Sequence, residues 1–434
     1  MTDPRRLAVT ALLKVNTNDG YSNLVLDEQL KNSRLDGADR AFAAALFYGT
    51  LEKKLTLDYF ISSVSDKGTR ISPFVREVLR CAAYQIMYMD KIPDSAAVNE
   101  AVDMVKASRE NRAAGLVNRL LRRICDNKTE LVRFADDDEG LSLKYSAPLW
   151  LFKNISADYG RDNAKAFFEK TQGSPPVYIR VNTLKTTPEE LLLELEKQGI
   201  KAEKTLLPAA LKLTRPGDTA GNPLFKDGLF FVEDLASQLC AEVLDPEPYE
   251  RVLDLCAAPG GKSFAAALKM ENEGELISCD IYESRTGLIR QGAGRLGLDI
   301  IKPTVNDGAK SLPGMGFDAV LCDVPCSGFG IIRRKPDIKY KDPDELKSLP
   351  PLQLSILENG AKAVKKGGRL VYSTCTLRRS ENQRIAEKFL KNHPEFVQER
   401  IALNGVKSAT DDGYLTLMGE NDTDGFFVAL FRRI

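Results

Sequence analysis

From Pro246 onward, short apolar runs and helical stretches alternate, and this alternation constrains the fold more than any other feature of the chain. The runs are Val252 to Leu255, Leu276 to Cys279, Thr304 to Asn306, Ala319 to Cys322 and Leu370 to Ser373. Short apolar runs, each followed by enough chain for a helix, predict parallel strands with crossover helices on both faces. The result is an α/β, doubly wound, Rossmann-like sheet. Gly425 to Phe431 reads as a last strand, antiparallel at the edge. In such sheets ligands collect outside the carboxyl ends of the strands. Residues just past those ends are therefore candidates for function.

Past the first strand comes Cys256-Ala257-Ala258-Pro259-Gly260-Gly261-Lys262, and past the second comes Asp280. Asp307 follows the third, Asp323 and Cys326 the fourth, and Cys375 the fifth. Three nucleotide readings compete. Gly261-Lys262-Ser263 resembles the end of a phosphate-cradling loop, but that loop needs a glycine where Cys256 stands. Gly292-Ala293-Gly294-Arg295-Leu296-Gly297 matches the dinucleotide fingerprint letter for letter, yet it follows a helical stretch instead of a strand. It reads as a helix end stopped by Gly297. Gly287, Gly292 and Gly294 each weaken that helix by up to ~1 kcal/mol relative to alanine, and nothing in the sequence accounts for them. The third reading is a nucleoside cofactor without pyrophosphate. Gly260 and Gly261 let the backbone approach it, Asp280 accepts from ribose hydroxyls, and Asp307 reaches the adenine edge. That is the arrangement of S-adenosylmethionine enzymes. The plainer alternative is that these aspartates only cap helices.

Cys326 and Cys375 suggest cysteine chemistry on a bound substrate; either alone is as readily a buried core thiol. Their positions do not rank them. The eight cysteines show no framework spacing, and no apolar run approaches membrane-span length. Free thiols in the cytoplasm are expected. A metal is not: Cys322 and Cys326 lack a second ligand pair, and the only histidine, His393, reads as a surface turn residue.

At 434 residues the chain needs more than one core. Residues 5 to 124 carry helical spacing, as in Val75, Val78, Leu79, Ala82, Ile86 and Val98, Ala101, Val102, Val105. Asp19-Gly20, Asp66-Lys67-Gly68 and Ile92-Pro93-Asp94 punctuate it. An all-helical domain is expected over 1–130. A linker is expected over 131–145, where the acidic run Asp136-Asp137-Asp138-Glu139-Gly140 reads as a linker or exposed turn, then a small α/β module over 146–240 and the cofactor-binding domain over 241–434. In the module, Val177 to Val181 is strand-like, Thr187, Pro188 and Glu190 form a capping box, Gly199 stops the helix, and a second strand lies near Leu211. Net charge is zero overall, but Met1 to Ile124 holds 19 Lys/Arg against 15 Asp/Glu. Arg109, Arg112, Arg119, Arg122 and Arg123 form one basic cluster, and Arg333, Arg334, Lys335 and Lys339 another. Such clusters are solvated faces or phosphate contacts.

Asp254 to Lys262, Asp323-Val324-Pro325-Cys326-Ser327-Gly328 and Ser373-Thr374-Cys375-Thr376 resemble the RNA cytosine-C5 methyltransferases of the NOL1/NOP2/Sun family. So do Arg180-Val181-Asn182-Thr183, Arg333 to Lys339 and Thr423-Asp424-Gly425-Phe426-Phe427. Val98 to Val102 and Gly115 to Arg122 resemble the NusB-type RNA-binding domain. The resemblance implies a class I methyltransferase sheet and an RRM-like module. It implies S-adenosyl-L-methionine as cofactor, held by Cys256 to Lys262, Asp280, Asp307 and Asp323. It implies methylation of cytosine C5 in 16S ribosomal RNA, with Arg119, Arg122, Arg333 and Arg334 on the RNA; a monomer is expected. Cys375 would attack C6, Cys326 would assist product release, and Asp323 would act at ring N3. The target base must leave its stack. Two positions depart from the family: Glu233-Asp234 replaces a frequent Gln-Asp, and Gly419 to Asp422 replaces a histidine-containing stretch. Alternatives are a transfer RNA substrate and a non-catalytic RNA-binding assembly factor. An amino-group methyltransferase would carry Pro-Pro-aromatic where this chain has Val324-Pro325-Cys326.

Overall fold

The apolar stripes of the first 130 residues become the core of a helical unit. The structure is a computed structural model that describes residues 3–18, 22–214 and 217–434; the Asp19-Gly20 turn signal lies outside them. Helices Pro4–Asn18, Gly37–Glu52, Lys54–Val64, Pro73–Tyr88, Asp94–Lys106 and Ala114–Asp126 bury Phe47, Phe60, Leu79, Val117 and Leu121. Among the described residues no strand precedes Val177. Ser72 caps one helix by accepting from Val75 N, with Pro73 at the first position.

The helical unit extends to Gly173 and also takes in Ile332–Lys341. The acidic run is not simply a linker: Asp137 accepts from Gly140 N and caps helix Asp138–Lys144. Helices Leu149–Tyr159 and Arg161–Lys170 follow. The far segment is tied in by side chains. Lys339 Nζ donates to Glu52 O at 2.8 Å, Ser22 Oγ donates to Asp337, and Lys54 Nζ lies 4.8 Å from the Tyr340 ring centroid. Lys339 is only 3% exposed, so it is no part of a solvent-facing basic cluster.

The second unit comprises Ser174–Ile331 and Asp342–Ile434. It holds two sheets. The smaller contains β1 (Val177–Val181), β2 (Ala202–Lys204), β3 (Ala210–Leu213) and β4 (Phe230–Val232), antiparallel in the order β2-β3-β1-β4. Its helix, Pro188–Lys197, opens on the expected capping box of Thr187 and Glu190.

The larger sheet contains β5 (Arg251–Asp254), β6 (Glu275–Asp280), β7 (Ile301–Val305), β8 (Phe317–Asp323), β9 (Val364–Thr374), β10 (Phe396–Glu399), β11 (Leu415–Met418) and β12 (Gly425–Arg433). Its order is β10-β12-β9-β8-β5-β6-β7, with β11 also paired to β12. β5 to β9 are parallel. Alternate residues feed opposite faces. Val252, Ala319, Leu321 and Val371 join helices Leu235–Leu244, Gly261–Lys269 and Glu283–Leu296. Leu253, Val320, Leu370 and Tyr372 join helices Leu349–Ala363 and Gln383–Asn392. The sheet is therefore doubly wound.

Two expectations are corrected. β7 begins at Ile301, and Pro303 is tolerated within it because β7 is an edge strand. β12 is antiparallel but internal: it pairs β9 on one side and β10 and β11 on the other, since a strand buried from Gly425 to Ala429 needs neighbours on both sides. The fingerprint-like run is the end of helix Glu283–Leu296, stopped by Gly297 at φ +76°. No helix of the described residues is long and apolar enough to cross a membrane.

Candidate active site

The chain runs β5, β6, β7 outward in one direction, then returns to lay β8 and β9 on the other side of β5. β5 and β8 thus flank the switch point, where an open α/β sheet forms its ligand crevice. Parallel pairing brings the strand ends to one edge. Along it stand Asp307 past β7, Asp280 at the end of β6, Cys256 to Lys262 past β5, Asp323 and Cys326 at the end of β8, and Cys375 past β9.

Three strand ends turn in the same way. Asp254, Asp280 and Asp307 each use Oδ1 to accept the backbone N–H two residues on, at 3.3, 3.1 and 3.1 Å. These carboxylates therefore shape their own loops without capping a helix, and keep further lone pairs. Asp254 is buried, and its Oδ2 accepts from Ser263 Oγ, which accepts from Ser278 Oγ. Burial pushes its carboxyl up to about 7. Asp280 is 4% exposed. Arg285 reaches its Oδ2 at 3.0 Å and the Ala258 carbonyl at 2.9 Å, joining the β5 and β6 loops. Asp307 pairs with Lys310 at 2.8 Å. The glycine turn is sterically required: Gly260 has φ +117°, and a Cβ there would meet the Phe264 ring at 2.4 Å.

A cleft of about 500 Å³ opens beside this turn, lined in part by Phe231, Glu233, Ala257, Pro259, Lys262 and Asp323. Asp280 and Asp307 do not line it. Lys262, the lysine that mimics a phosphate-binding loop, instead pairs with Asp323 at 2.8 Å, and its Nζ lies 5.2 Å from the Phe426 ring centroid. Ser373 Oγ donates to the same aspartate at 2.7 Å.

The two cysteines meet. Cys326 Sγ and Cys375 Sγ are 3.1 Å apart, each half-buried. Behind them lies a carboxylate that the sequence reading did not single out. Glu381 is fully buried and accepts from Ser327 N and Gln353 Nε2, both at 2.9 Å, and from Arg378. Gln353 also donates to Pro325 O at 2.9 Å. Ser327 Oγ and Thr376 Oγ1, the residues after the two cysteines, share a 2.7 Å hydrogen bond. Gly330 N donates to Cys375 O at 2.9 Å, and a Cβ on Gly330 would overlap Gly425 O. The cysteine loops are thus clamped to each other and to the start of β12. No periodicity marks Glu381 or Gln353; only their tertiary partners do.

The thiols differ electrostatically. Burial pushes Cys240 and Cys279 up to about 12, and raises Cys81, Cys125, Cys256 and Cys322. Cys326 is raised because its hydrogen bond to Cys375 holds its proton and Glu381 adds negative charge. Cys375 alone among the eight is lowered, first by accepting the Cys326 hydrogen bond and then by the Lys262 charge. The basic residues are less concentrated. Arg119 and Arg122 are exposed on helix Ala114–Asp126, where Arg119 pairs with Asp66 at 3.2 Å and Arg122 donates to Asn118. Arg333 and Arg334 are half-buried.

Comparisons with known proteins agree on a lineage. The profile of the 16S rRNA methyltransferase RsmB/F family matches residues 241–432, that of the NusB family residues 2–126, and that of a ferredoxin-like domain of RsmF/B-like methyltransferases residues 147–220. The probable ribosomal RNA small subunit methyltransferase B of Bacillus subtilis (strain 168) is 39% identical over 444 residues, covering 100% of this chain and 99% of its own. The ribosomal RNA small subunit methyltransferase B of Shewanella oneidensis is 31% identical, with 98% of each chain covered. The crystal structure of PH0851 superposes with a TM-score of 0.83 at 28% identity, covering 100% of this chain and 99% of that one. With the profile spanning the doubly wound sheet and relatives alike from end to end, the chain belongs to the 16S rRNA methyltransferase RsmB/F family.

Proposed function

We propose that this protein transfers a methyl group from S-adenosyl-L-methionine to C5 of a cytosine in 16S ribosomal RNA, through a covalent bond between Cys375 and C6. The observation that carries the reading is the pair of thiols 3.1 Å apart beside the Asp323–Lys262 ion pair. Cytosine C5 is a poor nucleophile. A thiolate adding to C6 makes it enamine-like, and that requires an ionised cysteine near neutral pH. Cys375 is the one thiol whose surroundings favour ionisation. Asp323, held by Lys262 and Ser373, supplies a hydrogen-bonding group for the ring nitrogen side of the base. After methylation, solvent water takes the C5 proton, the electron pair of that C–H bond restores the C5–C6 double bond, and the C6–S bond breaks with its electrons on the Cys375 sulfur. The Cys326 thiol, already hydrogen-bonded to that sulfur, stabilises it as it leaves.

The cofactor fits the edge on chemical grounds. The cation of the turn, Lys262, is committed to Asp323, so no free lysine waits there for a phosphate. Asp280 and Asp307 repel phosphates and offer acceptors to ribose and adenine donors. When bound, S-adenosyl-L-methionine supplies an electrophilic methyl group on a sulfonium. The relatives named as small-subunit methyltransferases support ribosomal RNA as substrate. The helical domain and the small module grip that RNA, with Arg119, Arg122, Arg333 and Arg334 contacting phosphates.

The test is to incubate Cys326→Ala and Cys375→Ala with 16S RNA and cofactor, and to look for RNA-linked protein on a denaturing gel. Cys326→Ala accumulates the adduct; Cys375→Ala gives neither adduct nor product. The reverse pattern exchanges the two roles, and product from both variants overturns the cysteine mechanism. Methylation of transfer RNA in place of 16S RNA in parallel reactions overturns the substrate.

A further inference from the structure

Glu233 stands one residue past β4, on the wall of the cleft that holds Lys262 and Asp323, and is 8% exposed. Its backbone is pinned: its N–H donates to Tyr178 O at 3.1 Å, and its carbonyl accepts from Gln238 Nε2 at 2.9 Å. Its carboxyl is not. Oε2 is buried without a hydrogen-bond partner among the described residues. Neither nearby cation serves it, since Lys262 is paired with Asp323 and Arg180 with Glu242, at 2.8 and 2.9 Å. The carboxyl also packs on the turn itself, because a Cβ on Gly261 would lie 2.5 Å from Glu233 Oε1.

A buried carboxyl oxygen without a partner favours the protonated form. The charged groups facing it divide. Lys262 from helix Gly261–Lys269 and Arg180 from β1 favour ionisation, while the adjacent Asp234 and Asp323 from β8 oppose it. Burial outweighs them and pushes the carboxyl up to about 7.

We propose that Glu233, as a neutral carboxylic acid, forms one wall of the pocket for the target base and donates a hydrogen bond to a pyrimidine ring acceptor, O2 or N3. This rests on the cytosine reading above. Asp323 and Glu233 then stand in one cleft with different partners: Asp323 is paired with Lys262 at 2.8 Å, while Glu233 Oε2 has no hydrogen-bond partner among the described residues. A glutamine at position 233 offers an N–H in place of the O–H, so the departure from the Gln-Asp pair is chemically conservative only while the proton stays on.

Methyl transfer to 16S RNA, measured against RNA concentration across a pH series, tests this with the full chain. In the wild type the KM for RNA rises by roughly fivefold or more between about pH 6.5 and 8.5, the scale of one lost hydrogen bond at a buried group. In Glu233→Gln the KM stays at the low-pH wild-type value throughout. In Glu233→Ala it is raised at every pH. The kcat is read separately at each pH, so that a pH effect on the chemical step is kept apart from the KM comparison. A Glu233→Gln variant whose KM climbs as steeply as the wild type's overturns the proposal, as does a wild-type KM that is flat. Nucleoside analysis of the product is read separately. A product other than 5-methylcytosine overturns the cytosine reading while the KM comparison still reports on Glu233.

Discussion

Gly287 and Gly292 lie five residues apart in one helix and have opposite surroundings. A Cβ on Gly292 would meet the Phe264 ring at 2.4 Å, so the glycine is where that helix packs on the start of its neighbour. Around Gly287 and Gly294 there is open space, and nothing in the structure explains those two. Gly287→Ala is therefore expected to raise the midpoint of urea unfolding, gaining about 0.5–1 kcal/mol of helix propensity. Gly292→Ala is expected to lower it, because overpacking costs about 1–3 kcal/mol. Equal shifts in both would show that the Phe264 contact does not matter. At this scale the site was half legible. Cys326, Cys375, Asp323 and Lys262 were marked by their place after strands. Glu381 and Gln353 carry no local mark, because their role is to hold loops that the fold alone brings near.

Elements with their own local chemistry were read best. The helix Pro188–Lys197 has its cap, its proline and its stop within a dozen residues, and all three occur as read. Thr187→Ala removes the side chain that accepts from Glu190 N at 3.2 Å and is expected to cost about 1 kcal/mol, measured as a lowered unfolding midpoint. An unchanged midpoint would mean that Glu190 Oε2, which accepts from Thr187 N, caps the turn by itself. Elements whose identity depends on a partner were read worse. β12 is as apolar as an edge strand can be, but only pairing shows that β9 lies on one side and β10 and β11 on the other. The acidic run looked like a linker because its charge was legible, whereas the capping bond from Gly140 N to Asp137 was not.

On the scale of the whole molecule, the division of the chain into units is not the order of its sequence. Ile332–Lys341 is flanked on both sides by residues of the second unit yet belongs to the helical one. Its Lys339 looked like one more base in a surface cluster. Instead burial pushes its ammonium down to about 7 from 10.5. Between those values the unfolded chain holds a proton that the folded chain does not, so Lys339's contribution to stability rises with pH across that window and is least below it. Lys339→Met removes the titration. Its stability relative to wild type is expected to be most favourable near about pH 6.5 and to decline toward pH 9.5, read from urea unfolding at both values. A difference independent of pH would mean that Lys339 stays charged in the folded unit.

The amino-acid sequence by itself determined the alternation that makes a doubly wound sheet, the helices with local caps, and the set of residues that follow strand ends. All of these depend on spacing along the chain. The tertiary structure decided which strand ends are neighbours, that two thiols 49 positions apart meet at 3.1 Å, that Lys262 pairs with Asp323, and that Glu233 Oε2 has no hydrogen-bond partner among the described residues. Those outcomes depend on burial and on pairing between distant segments. The same carboxyl or ammonium is an ordinary surface charge in one setting and a retained proton or a neutral amine in another, and only the fold sets its surroundings.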